Sequence, residues 1–141
     1  MNKNNLFYLC SLLEAVSRTT GKNKKDVVNK IGKAELKHLY EAADVNHCLP
    51  IKQVTEEVAE RNGFEIQEHH FKKQKTTIWE KGKIYQRLIV DISDDNDWLD
   101  NLIEVYNSWF CEYLDNQNLP IYWQPRGYIK ECYLQKKIIM K

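Results

Sequence analysis

Five aspartates crowd one short stretch, Asp91, Asp94, Asp95, Asp97 and Asp100, and carboxylates at that density are the first candidates for cation chemistry. A calcium loop of the EF-hand type needs oxygens at alternate positions, glycine at the sixth and glutamate at the twelfth. Counted from Asp91, those places hold Asn96 and Leu102, so the pattern fails. The cluster reads instead as helix-start chemistry, where carboxylates meet unpaired N–H groups and the positive end of a helix dipole. His47-Cys48 and His69-His70 are zinc-ligand types, but structural zinc uses four ligands in closely spaced pairs. Cys10, Cys48, Cys111 and Cys132 stand far apart, and the histidines read as turn or cap residues. There is no Gly-x-Ser-x-Gly and no glycine-rich phosphate loop. The expectation is a non-enzymatic chain with no catalytic residue, no metal and no cofactor.

Two other groups suit binding rather than catalysis. Lys22, Lys24, Lys25, Lys30, Lys33 and Lys37 lie on two expected helices joined at Gly32, the outline of a helix-turn-helix. Lys24, Lys25, Lys30 and Lys33 are the candidate phosphate contacts. The second of these helices carries Glu35, Glu41 and Asp44, with no arginine or glutamine near its start to read bases. A nucleic-acid-binding regulator is therefore the alternative reading. The chain also holds four tryptophans, eight tyrosines and four phenylalanines, most of them after residue 70. Tryptophan and tyrosine exposed beside charge are typical of interfaces. Tyr122 and Trp123 lie between Pro120 and Pro125, outside any clear amphipathic helix, and are the pair expected to face a partner.

The composition tells what must position these residues. At 141 residues, 43% hydrophobic and 29% charged, the chain can bury a core as one domain without disulfides. No apolar run approaches the ~20 residues that span a bilayer. The opening segment is interrupted by Glu14 and lacks a small-residue cleavage site, so it is expected to be a helix of the mature protein, not a signal peptide. Scattered cysteines without a Cys-x-x-Cys pair suggest reduced thiols and a cytoplasmic setting. Charge alternates in blocks, +5 over residues 1–40, −5 over 41–70, +5 over 71–90, −8 over 91–120 and +4 over 121–141. Such blocks pair within a monomer or present faces to partners.

Hydrophobic spacing predicts an all-α or predominantly α fold, a compact single domain of six or seven helices. Residues 1–63 form an N-terminal helical part, 64–81 an irregular connector with a short extended or β segment near 64–80, and 82–141 a C-terminal helical part. Helices are expected over Asn5–Arg18, from Asn23 to Gly32, over Ala34–Val45, from Pro50 to Asn62, over Lys83–Ile92 after Gly82, and from Pro125 onward. The centre is expected in Asp97–Leu114, where Trp98, Leu102, Val105, Trp109, Phe110 and Tyr113 recur at helical steps.

One resemblance bears on function. Leu6-Phe7, Cys10 and Glu14, then Lys24-Lys25-Asp26-Val27, then Tyr40 and Asp44-Val45-Asn46-His47 ahead of Ile51 and Val54 give roughly residues 1–60 a layout that resembles small, uncharacterised bacterial helical domains of antitoxin-like type. Such domains show an Asp-x-x-His step after the third apolar segment, which Asp44 and His47 match. Asn46 stands where an apolar residue is expected, and everything from Phe64 onward lies outside the likeness. The resemblance implies a cytoplasmic bacterial regulator without cofactor that occupies another protein, a toxin in the antitoxin-like case, with Asp44 and His47 in the contact. The expected function is thus a small regulatory or adaptor protein acting by protein–protein binding.

Overall fold

The computed structural model describes residues 1–67, 76–116 and 123–136. Among them run eight helices and no strand: α1 Lys3–Thr20, α2 Lys24–Glu41, α3 Ala43–Asn46, α4 Ile51–Arg61, α5 Ile78–Ile92, α6 Trp98–Asn107, α7 Phe110–Asp115 and α8 Arg126–Leu134. The fold is predominantly α, as the periodicity required, in one compact domain.

The centre is α1. The Asn2 side chain accepts the Asn5 N–H at its start, and Gly21, left-handed at φ 70, closes it by donating to Ser17 O. Between these caps every residue from Tyr8 to Val16 is buried, which one apolar stripe cannot explain. Helices α2, α3, α4 and α5 pack around it, so α1 is covered on several sides.

The Asp97–Leu114 stretch expected to be central is two helices. Ser108 leaves the helical region at φ −84, ψ 161, and both its N–H (3.1 Å) and its hydroxyl (2.7 Å) donate to Val105 O. A serine that captures the last carbonyl in this way competes with helix continuation. The break turns Trp109 and Tyr113 outward, 38% and 37% exposed.

Gly82 corrects a second expectation. It does not precede α5 but lies inside it, where a Cβ would fall 2.2 Å from Ser11 Oγ, 2.8 Å from Ser11 N and 2.9 Å from Ser11 Cα. The glycine is a packing notch for α1, and the helix begins earlier, at Thr77, whose side chain accepts the Glu80 N–H. Gly32, expected to end a helix, does interrupt α2 with φ 81, ψ 161. The segment expected as one helix over Ala34–Val45 divides at Ala42 into the end of α2 and the single turn of α3.

A buried ionic knot fastens these helices. Lys24 is 4% exposed, its Nζ 2.5 Å from Glu14 Oε1 and bonded to Asp115 Oδ1 at the end of α7. Glu14 also accepts from Arg18 Nε at 2.8 Å. Tyr85 OH donates to Asp115 Oδ1 at 2.6 Å, and Lys81 Nζ donates to the carbonyls of Leu114 and Asp115. Burial pushes the Glu14 carboxyl up, but the adjacent Lys24 and Arg18 outweigh it and hold it below its ordinary value. Burial likewise works against the Lys24 ammonium, and Glu14 and Asp115 reverse that, leaving it raised.

Candidate functional site

Helix α5 sets the site. Its residues Lys81, Tyr85 and Ile89 turn inward to the knot and core, while Trp79, Lys83 and Arg87, four apart, share the outer side and are exposed. Between them Ile84 and Leu88 form an apolar floor. Phe7 of α1 closes one side, its ring 5.8 Å from that of Trp79. Trp123, Gln124, Arg126 and Ile129, before and on α8, close the other, giving an open groove of about 570 Å³. Trp123 is 68% exposed, because Pro125 caps α8 in extended geometry, φ −57 and ψ 151, and leaves the preceding residues outside the helix.

Charge on the groove is uneven. Arg126 is held by Asp91 through two bonds, Nε to Oδ2 at 2.9 Å and Nη2 to Oδ1 at 2.6 Å, and that pairing raises the guanidinium pKa further. The Lys83 ammonium lies 5.2 Å from the centre of the Phe7 ring. Arg87 is exposed and has no carboxylate partner among the described residues. Glu80 is the acidic residue in the lining.

Phe7 and Trp79 are also the wall of a second hollow, about 320 Å³, reached on their other side and lined by Asn4, Asn5, Tyr8, Asp44 and His47. Tyr8 links the parts: its ring is 6.4 Å from Trp79 and 6.1 Å from His47, and its hydroxyl donates to Asn46 O at 3.4 Å. The expected partner residues Asp44, His47 and Trp123, far apart in sequence, therefore flank one aromatic ridge. Tyr122 lies outside the described residues. Sequence reasoning counted Trp79 only among the interface-type aromatics in general and missed Phe7, Lys83 and Arg87. The signal was the four-residue spacing of Trp79, Lys83 and Arg87, which Gly82 taken as the helix start conceals.

The nucleic-acid candidates fare differently. Lys24 is withdrawn from the surface as the centre of the ionic knot, a correction with a plain cause: two carboxylates neutralise it where water is excluded. Lys33 pairs with Asp100 at 2.7 Å but stays exposed, as do Lys25 and Lys30 on α2.

In the acidic cluster, Asp91, Asp95 and Asp100 pair with Arg126, the N-terminal ammonium and Lys33, while Asp94 and Asp97 bond to the local backbone. Asp94 Oδ1 accepts the N–H groups of Asn96 (2.8 Å) and Asp97 (3.1 Å), and Asp97 Oδ1 accepts that of Asp94 (2.7 Å). These carboxylates shape the turn before α6 rather than bonding the first helical N–H groups. Among the described residues no three His, Cys, Asp or Glu side chains gather as a metal-holding group; His69 and His70 lie outside them. The buried thiols of Cys10 and Cys111 are each pushed up to about 12, by burial above all, far from the thiolate form that nucleophilic chemistry needs. No family model matches the sequence, and no curated protein or solved structure matches it. No helix among the described residues is long and apolar enough to cross a membrane.

Proposed function

We propose that this protein is a small, non-enzymatic, cytoplasmic regulator that works by binding another protein through the Phe7–Trp79 ridge and its two flanking hollows. The observation that carries the reading is the juxtaposition of exposed aromatic rings with unneutralised charge. Trp79 and Trp123 are 37% and 68% exposed, although the same fold buries Tyr85, Tyr106 and Phe110 almost completely. Exposed tryptophan with arginine beside it is the composition of protein-contact hot spots. An antitoxin-like role, in which the bound partner is silenced, is the form of this regulation that Asp44 and His47 favour.

Co-purification from the source cells tests the proposal. A partner protein recovered in stoichiometric amount with the wild type is expected to be lost with Trp123→Ala and Arg87→Glu, and kept with Lys25→Glu and Lys30→Glu. Loss through the lysine changes alone, or retention on heparin that those changes abolish, would favour the nucleic-acid reading, whose affinity falls steeply with salt.

A further inference from the structure

Resting on that protein-binding reading, we infer that the groove takes an extended, acidic segment of the partner in which carboxylates flank an aromatic or branched apolar side chain. The first ground is continuity. The larger groove and the smaller hollow share Phe7 and Trp79 as a common wall, so the surface is a track with two stations rather than one closed pocket. A track suits an extended chain that lays alternate side chains into successive depressions.

The second ground is charge. At the larger station the outward side of α5 offers Lys83 and Arg87 one turn apart, above the apolar floor of Ile84 and Leu88. Arg87 carries a planar fork that matches a carboxylate bidentately. Arg126 is already occupied by Asp91, so it serves as a fixed edge. A ligand side chain resting on that floor between the Trp79 and Trp123 rings would bring its neighbouring carboxylates to the two cations. At the smaller station the exposed carboxylate of Asp44 favours a donor, so a lysine or arginine further along the ligand fits there.

A single-stranded nucleic acid also matches cations and aromatic platforms. It fits this track less well, because a phosphodiester chain carries negative charge at every nucleotide. Such a chain would run past Glu80 and Asp44, whereas a peptide places its charges selectively.

The test measures fluorescence anisotropy with labelled decapeptides and the intact protein. One peptide carries a Glu-Glu-Leu-Glu core and a distal lysine, a second replaces the glutamates by lysines, and a third arm uses decathymidylate. The acidic peptide is expected to bind at least about ten-fold tighter than the lysine peptide. The Lys83→Glu/Arg87→Glu variant, with circular dichroism confirming its fold, is expected to reverse that order. Equal binding of both peptides, no binding, or tighter binding of decathymidylate would overturn the inference. The co-purification result separates the two levels: a partner lost with Trp123→Ala alongside peptides that show no charge preference overturns the ligand chemistry and leaves the protein-binding reading intact.

Discussion

Replacing Gly82 by alanine sets two effects of known sign against each other. On a solvent-facing helix the change stabilises by ~1 kcal/mol, because alanine has the higher helix propensity. At Gly82 the new Cβ would meet Ser11 Oγ at 2.2 Å, Ser11 N at 2.8 Å and Ser11 Cα at 2.9 Å. Ordinary heavy-atom contact is about 3.5–4.0 Å. Rotating the serine hydroxyl relieves only the first clash. The two backbone contacts require α1 and α5 to separate by roughly 0.7 Å or more, along the most extensive pairing among the described helices. Overpacking of that kind costs about 1–3 kcal/mol, and the rigid backbone neighbour places it near the upper end. After the propensity gain is subtracted, the net loss is roughly 1–2 kcal/mol, or roughly 3–8 °C in Tm for a domain of this size. Urea unfolding followed by circular dichroism at 222 nm reads this directly. Ser11→Ala supplies the control: its buried hydroxyl has no hydrogen-bond partner among the described residues, so its removal is expected to leave stability equal or higher. The double variant Ser11→Ala/Gly82→Ala should remain destabilised relative to Ser11→Ala. A rise in midpoint for Gly82→Ala alone would refute the close α1–α5 crossing.

Four more outcomes follow from the knot and the groove. Lys24→Met leaves Glu14 and Asp115 without their shared cation and is expected to cost about 3–5 kcal/mol in urea unfolding, whereas Lys25→Met, on the exposed side, should change stability by ~0.5 kcal/mol or less. Because the folded-state pKa of Glu14 lies below its ordinary value, its contribution is present above the unfolded carboxylate pKa and is lost as pH falls through the folded value. The acid limb of a stability profile should therefore flatten in Glu14→Gln; an unchanged limb would contradict the pairing. Lys24 has the opposite sign: its pKa is raised, so its contribution is lost only as alkaline pH climbs through the folded value, and Lys24→Met should flatten the alkaline limb. Trp123→Ala, at 68% exposure, is expected to move the unfolding midpoint by ~0.5 kcal/mol or less; a large loss would place that ring in the core rather than at a partner surface.

Most helices were legible because local rules governed them. Asn23 and Gly21 act as caps in ways their residue types announce, whereas α1 starts at Lys3 behind the Asn2 cap, before the expected Asn5; Gly32 breaks α2 because a left-handed φ suits glycine. The misreadings arose where a long-range contact outranked a local rule. Gly82 looked like punctuation, but its role is set by Ser11, which is distant in sequence. The Trp98–Leu114 periodicity is real, yet Ser108 divides it, and the apolar pattern carries no mark of a hydroxyl taking the Val105 carbonyl. Lys24 looked like one more surface lysine, since nothing local shows that Glu14 and Asp115 converge on it. The site was half legible for the same reason: Trp123 stands out by type and Asp44 and His47 through the antitoxin-like resemblance, whereas Phe7, Trp79, Lys83 and Arg87 join them only once α1, α5 and α8 are packed.

Fluorine NMR of protein labelled with 5-fluorotryptophan tests the binding face most directly, because the four tryptophans are already distributed as reporters. Trp79 and Trp123 line the groove, Trp98 is packed against Tyr40 with ring centres 4.3 Å apart, and Trp109 belongs to a different hollow beside Tyr133. Single Trp→Phe variants assign the signals. Titration with the acidic peptide is expected to shift the Trp79 and Trp123 resonances to saturation while those of Trp98 and Trp109 stay in place. Movement confined to Trp109 would contradict the placement of partner binding on the Phe7–Trp79 ridge, and four unmoved signals would overturn the acidic-segment assignment.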